Sequence, residues 1–169
     1  MSTLTELVKH YESLHDGDLK TIGLQPKMCP AGLWTEGYGR LVLDEKGNRL
    51  KGIENKAKAY KSSKIKTEAQ AIVALEEDLR DYTLRVKSLN LFLSETQLAA
   101  LVSFAYNIGF ANLKTSTLLK KIQANSSASE ITAQFLRWVY ADKKTLPGLV
   151  ARRKSEALLF TTGKLQFFN

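Results

Sequence analysis

Cys29-Pro30-Ala31-Gly32-Leu33-Trp34-Thr35-Glu36-Gly37-Tyr38-Gly39-Arg40 is the stretch on which the reading of this chain turns. The only cysteine opens it beside a proline, and glycines then surround Trp34 and Tyr38. Leu33-Trp34-Thr35 has the bulky and β-branched character of a short strand. Gly37-Tyr38-Gly39 reads as a turn or bulge at which backbone comes close to a neighbour. A thiol, a hydroxyl and a carboxylate therefore share one sharply bent piece of chain. Two readings stand side by side: a hairpin with a small buried cysteine as filler, or a site that uses these three groups. The helix upstream, which carries Glu12, favours the second.

Working outward, Thr3 to Leu14 reads as that first helix. Thr3, or else Ser2, is its N-cap, with Glu6 three residues beyond Thr3, and Leu4, Leu7, Val8 and Tyr11 recur at helical spacing. Glu12 adjoins the apolar face at the negative end of the helix dipole. His15 to Met28 is a polar connection. Leu33 to Ile53 reads as a small antiparallel β element turning at Asp44-Glu45-Lys46-Gly47-Asn48. Asn55 to Lys66 is polar, basic and without a clear period. Thr67-Glu68-Ala69-Gln70 opens a long helix to about Lys87, with Ala71, Leu75, Leu79, Tyr82 and Val86 as its apolar stripe. Ser94-Glu95-Thr96-Gln97 is a capping-box signature for a helix hydrophobic nearly all round, hence central and buried. Further helices are expected at Ser116 to Gln123, Ala128 to Tyr140 and Pro147 to Phe160, with Pro147 at a first helical position.

At 169 residues, with 44% hydrophobic and 25% charged residues, the chain is expected to be a single globular domain rather than a disordered one. A lone cysteine forms no internal disulfide, so nothing in the fold requires an oxidising compartment. Met1 to His10 lacks a basic region followed by an apolar run, and no stretch approaches about 20 apolar residues. Synthesis and folding in the cytoplasm, without stable membrane insertion, are the expectation. The net charge of +8 points to an anionic partner. The basic residues are scattered, and Tyr60 is the only aromatic in the densest run, Lys51 to Lys66. Nucleic-acid readers cluster their cations and interleave them with stacking rings, so no nucleic acid is expected. His10 and His15 lack carboxylate or cysteine partners at ligand spacing; they read as surface or packing histidines, with no metal and no cofactor.

Several motifs together resemble the phage-type lysozymes (muramidases or endolysins, glycoside hydrolase family 24). They are Tyr11-Glu12, then Cys29-Pro30-Ala31-Gly32-Leu33-Trp34-Thr35 and Gly37-Tyr38-Gly39. Downstream come Leu101 to Gly109, Ser116-Thr117-Leu118-Leu119, Phe135-Leu136-Arg137-Trp138, and Leu146 to Val150 running into Arg152-Arg153. They follow the family's order over almost the whole chain. The resemblance implies an α+β lysozyme-like fold: a small β-hairpin-bearing lobe of about residues 15–66, and a mainly helical lobe of about 67–169 that takes in the N-terminal helix. An active-site cleft between the lobes and a monomer are part of that expectation. The implied activity is hydrolysis of the β-1,4 bond between N-acetylmuramic acid and N-acetylglucosamine in bacterial peptidoglycan, reached through a holin-type lesion. A wall-binding protein on an impaired lysozyme fold is the alternative.

The same resemblance implies the site. The family's acid is the Glu after the first helix's aromatic, which is Glu12. Its partner, an Asp or in a subset a Cys, stands six residues before a Thr, as Cys29 does before Thr35. A Cys29 thiolate would assist a water or act as nucleophile. Tyr106, Asn107, Ser116 and Thr117 would line the saccharide site, and Arg152 would support Glu12, with the choice of Arg152 or Arg153 as the inward-facing residue left open. The segment from His15 to Met28 looks longer than its family counterpart by roughly two helical turns' worth of residues. The family's turn usually reads Thr-Ile-Gly-Tyr-Gly-His, whereas Glu36 and Arg40 stand here. Three readings of this departure stay open: the two residues pair, Glu36 shares in acid–base work, or it impairs the site. A carboxylate beside Trp34 and Tyr38 is expected to need a cation or solvent, and an isoleucine to be more stable in its place.

Overall fold

The computed structural model describes residues 2–141 and 144–169. The chain divides into two compact units. One comprises Met1–Tyr11 with Leu79–Asn169, and the other is Glu12–Asp78.

The second unit is organised by a three-stranded antiparallel sheet in the order β1 (Lys27–Met28), β2 (Trp34–Glu36), β3 (Arg40–Leu41). Lys27 pairs with Thr35, Thr35 with Leu41, and Glu36 with Arg40. The turn expected at 44–48 forms, with the Asp44 N–H donating to the Asn48 carbonyl at 2.9 Å. Asp44 Oδ1 accepts the N–H groups of Lys46 and Asn48. Two stretches without a sequence signal become ordered. Lys27–Met28 joins the sheet, and Lys56–Ser62 forms helix α2 after a 3₁₀ turn, Ile53–Asn55. Burying the apolar face of Ala59 with Trp34, Val42 and Leu50 is what orders α2, and Tyr60 closes the cluster edge-on to Trp34. The Trp34 indole N–H donates to the Gly52 carbonyl at 2.8 Å, so this large ring is buried without an orphaned donor.

Gly37 and Gly39 are both left-handed, at φ 58° and 94°. The close approach read from the glycines is real at each. A Cβ on Gly37 would stand 2.9 Å from Ile65 Cδ1, and one on Gly39 would stand 3.4 Å from Glu12 Oε2.

Helix α1 (Thr3–Glu12) is capped by Ser2, whose Oγ accepts the Thr5 N–H. It stops at Glu12 rather than Leu14 because Ser13 turns left-handed, at φ 55°. Helix α3 (Glu68–Lys87) starts where expected, with Thr67 Oγ1 accepting the Gln70 N–H and Gln70 Oε1 accepting the N–H groups of Lys66 and Thr67.

In the first unit α4 (Glu95–Ile108) carries the Ser94–Gln97 capping box, and every residue from Ala99 to Ala105 is buried. Seven consecutive positions cover all sides of a helix, so α4 is the core rod that the sequence implied. It packs on α8 (Pro147–Thr162), which begins with Pro147, and on the short α5 (Phe110–Thr115). Helix α6 (Thr117–Gln123) follows. Helix α7 (Ala128–Phe135) ends before the expected Tyr140. The chain turns there and sets the Trp138 ring edge-on to Phe104, while Tyr140–Ala141 (β4) pairs with Lys144–Thr145 (β5). Residues 163–169 return to α1: the Phe168 N–H donates to the Tyr11 hydroxyl at 3.1 Å, and Phe167 stacks on His10 at 4.1 Å. The same Tyr11 hydroxyl lies 2.6 Å from Ser155 Oγ.

Candidate active site

Glu12 is the last residue of α1, and the left-handed Ser13 sends the chain directly to the sheet. There the His15 N–H donates to the Gly37 carbonyl at 2.8 Å. The Glu12 carboxylate reaches the space that a side chain at position 39 would fill. On β1 and β2, Lys27 opposes Thr35, and two pairs further the Cys29 N–H donates to the Leu33 carbonyl at 2.8 Å. Side chains alternate across a strand, and the same alternation carried one residue past β1 puts Cys29 and Thr35 on one face as diagonal neighbours. Cys29 also starts the turn between the strands, its carbonyl accepting the Gly32 N–H at 2.8 Å. It is half-buried and unbridged, not a core filler.

Thr35 itself is buried, and its hydroxyl is spoken for on two sides. Oγ1 donates to the Lys27 carbonyl at 2.9 Å and lies 2.8 Å from Nδ1 of His15. A carbonyl only accepts, so the threonine hydrogen belongs to that bond, and His15 must donate from Nδ1. This fixes the imidazole tautomer. Burial holds the imidazole below its ordinary proton affinity; Glu12 opposes that effect and Lys27 adds to it. His15, read from sequence as a surface or packing residue, is therefore bonded to the hydroxyl at the centre of the candidate site. The one signal that could have found it is its position one helical turn beyond Glu12.

The departures at 36 and 40 resolve differently. Glu36 follows Thr35 on the strand, so its side chain faces the opposite way. Its Oε2 accepts from the Ser63 hydroxyl at 2.8 Å, the Lys64 N–H at 2.8 Å and the Ile65 N–H at 3.0 Å. With 6% of its surface exposed, it meets neither the cation nor the open solvent expected of it. Arg40 is its cross-strand partner in register but not in charge. The Arg40 guanidinium grips Asp78 at 2.9 and 3.0 Å, Glu77 at 3.1 Å, and the Ala74 carbonyl. The Glu36–Arg40 pair is thus corrected to two separate anchors. A cavity of about 620 Å³ borders both residues, together with Asp44, Lys61 and Lys64.

The remaining candidates lie in the helical unit. Tyr106 is half-buried, edge-on to Tyr82 at 5.3 Å. Asn107 is exposed, and its Oδ1 accepts from Arg153, which turns the amide NH₂ outward. Ser116 is buried as the N-cap of α6: Oγ accepts the Leu119 N–H and donates to the Leu113 carbonyl. Its hydroxyl hydrogen is committed within the protein. Thr117 beside it is exposed, and both border a cavity of about 380 Å³ shared with Asn112, Gln134, Arg137 and Trp138. Arg152 and Arg153 are both buried. Arg152 Nε meets Glu156 Oε1 at 3.1 Å and Arg153 Nη1 meets Glu156 Oε2 at 2.6 Å, so the question of which one faces inward has the answer that both do.

The Phage lysozyme family profile matches residues 18–156. The chain is similar to an endolysin of Acyrthosiphon pisum secondary endosymbiont phage 1, with 31% identity over 159 residues that cover 91% of this chain and 92% of that protein. It is similar also to an endolysin of Bacillus phage B103, 37% identical over 159 residues and 94% of this chain, which spans 52% of that relative's length. Among solved structures, the muramidase domain of SpmX from Asticaccaulis excentricus matches with a TM-score of 0.70 at 26% identity, over 96% of this chain and 97% of the other.

Proposed function

The chain belongs to the phage lysozyme family, and from that premise we propose that it cleaves the β-1,4 bond between N-acetylmuramic acid and N-acetylglucosamine with Glu12, Cys29 and Thr35. That the enzyme is a peptidoglycan hydrolase of the lysozyme type comes with the family. The bond and the residues are our inference. The observation that carries them is the shared face of Cys29 and Thr35 on a hairpin whose far turn, at Gly39, lies against the Glu12 carboxylate.

Glycoside hydrolysis needs an acid at the leaving oxygen and a group across the ring that handles water. Glu12 supplies the acid. Thr35 has given its hydrogen to the Lys27 carbonyl, so towards a water it acts as acceptor only. Cys29, as thiolate, accepts the second water hydrogen. With both hydrogens drawn to the hairpin, the oxygen lone pair faces the anomeric carbon, which is inverting chemistry. The amide of Asn107, the hydroxyl of Thr117 and the ring of Tyr106 would hold flanking sugars. Exit from the cytoplasm through a holin-type lesion completes the reading.

Glu12→Gln is expected to lower turnover at least about a hundredfold, with the melting temperature and wall binding retained. Cys29→Asp is expected to remain active, and Cys29→Ala to lose activity rather than stability. Borohydride reduction of the products followed by acid hydrolysis identifies the bond. Muramitol is expected; glucosaminitol would overturn the assignment.

A further inference from the structure

We propose that His15 is a positioning residue that sets the polarity of the Thr35 hydroxyl. The proposal rests on the reading of Thr35 as a water-holding group and extends it to a residue outside the family's three.

A threonine hydroxyl is a rotor with one hydrogen and two lone pairs, and by itself it presents either to a water. In this protein the rotor is pinned from two directions. The Lys27 carbonyl takes the hydrogen at 2.9 Å, and the imidazole N–H, 2.8 Å away, fills one lone pair. One lone pair remains, so any water at Thr35 must donate to it. Without the His15 donor the hydroxyl regains a second acceptor site. It is then freer to swing its hydrogen away from the carbonyl towards the water, which turns the water's lone pair inward.

The surroundings of His15 are built to hold this arrangement. Its backbone N–H is tied to Gly37, two residues beyond Thr35 and just past the end of β2. Downstream, Asp16 Oδ1 accepts the N–H groups of Asp18 and Gln25, and the Gly17 N–H donates to the Gln25 carbonyl. The Leu24 N–H donates to the Lys66 carbonyl at 2.9 Å. The segment between α1 and β1 is therefore closed on itself and fastened to the unit. It delivers both partners of Thr35: the imidazole from its start and the Lys27 carbonyl from its end. This gives the extended connection a function in the chemistry, not only at the rim of the site.

The test is a double-mutant cycle read in kcat and KM on purified glycan strands, with melting temperatures alongside. His15→Phe keeps the ring volume and removes the donor; it is expected to lower kcat about tenfold with KM nearly unchanged. His15→Asn places an amide N–H near the Nδ1 position and is expected to recover most of that loss. His15→Gln puts its amide near the other ring nitrogen, is expected to fail like Phe, and stands in for His15→Phe should that variant not fold. In a Thr35→Val background His15→Phe is expected to cost nothing further. Full kcat in His15→Phe while Thr35→Val is impaired would overturn the proposal and leave the reading of Thr35 intact. So would losses that simply add in the double variant, or no recovery with Asn. Full kcat in Thr35→Val would remove Thr35 from the chemistry and the role of His15 with it.

Discussion

Two glutamates, one in each unit, are almost withdrawn from water, and they are held by opposite means. Glu36 is 6% exposed and Glu156 is wholly buried. Glu36 rests on neutral donors, one hydroxyl and two successive backbone N–H groups just past the end of α2. Glu156 is clasped by two guanidinium groups, Arg152 and Arg153, and by the Ser103 hydroxyl at 2.7 Å. Arg153 also lies over the Phe104 ring, at 4.8 Å. A buried carboxylate therefore does not require a cation. It requires filled lone pairs, and peptide N–H groups fill them where one turn of chain aims several at a single oxygen. The two arrangements differ in what breaks when the glutamate is removed: in one unit a hydrogen-bond socket is emptied, in the other two buried guanidinium groups each lose an anionic partner.

The comparison breaks hardest at Glu156. Replacing it by alanine takes this anion away from both guanidinium groups and should cost about 3–5 kcal/mol, a fall of roughly 10 °C in melting temperature. A loss below about 1 kcal/mol would mean that the arginines find other partners without strain. Glu36→Ile should cost about 2 kcal/mol, because the Ser63 hydroxyl and the N–H groups of Lys64 and Ile65 lose their acceptor. This reverses the expectation drawn from the family's isoleucine, and urea unfolding of Glu36→Ile against Glu36→Gln decides it. Gln keeps one acceptor oxygen and should cost only about 1 kcal/mol. The smallest effect belongs to an exposed third glutamate. Lys121, and then Ser127, draw the Glu130 carboxyl down from 4.5 to about 2. A depressed folded value stabilises above the unfolded one. Its contribution is thus complete above about pH 4.5 and fades as the pH falls through about 2. Amide protection at the start of α7, relative to the intrinsic exchange rate at each pH, should fall across that window in the parent and stay flat in Glu130→Gln.

What could be read from sequence was what neighbours in sequence decide. The caps of α3 and α4, at Thr67–Gln70 and Ser94–Gln97, close within four residues, and Pro147 needs only its own ring to start α8. The glycines at 37 and 39 announced close contacts because no side chain could be there, although not with what. The partners of Glu36 are another matter, 27 to 29 residues away on a segment that had no period of its own. Helix α2 is ordered by tertiary burial, and α7 is cut short so that Trp138 can meet Phe104. His15 carries little signal of its own in the sequence, because its partner is a hydroxyl 20 residues downstream. Glu12, Cys29 and Thr35 are proposed on family resemblance. No periodicity marks them.

The return of residues 163–169 to α1 also has a meaning in time. The helix that ends in Glu12 is fastened through Tyr11 to a residue 157 positions later. A ribosome adding about 5–20 residues per second releases the helix on the order of ten to thirty seconds before its anchor. The growing chain can order its sheet, its turns and most of its helices first. The helix that ends in Glu12 is thus secured by residues made well after it, Ser155 and Phe168 among them.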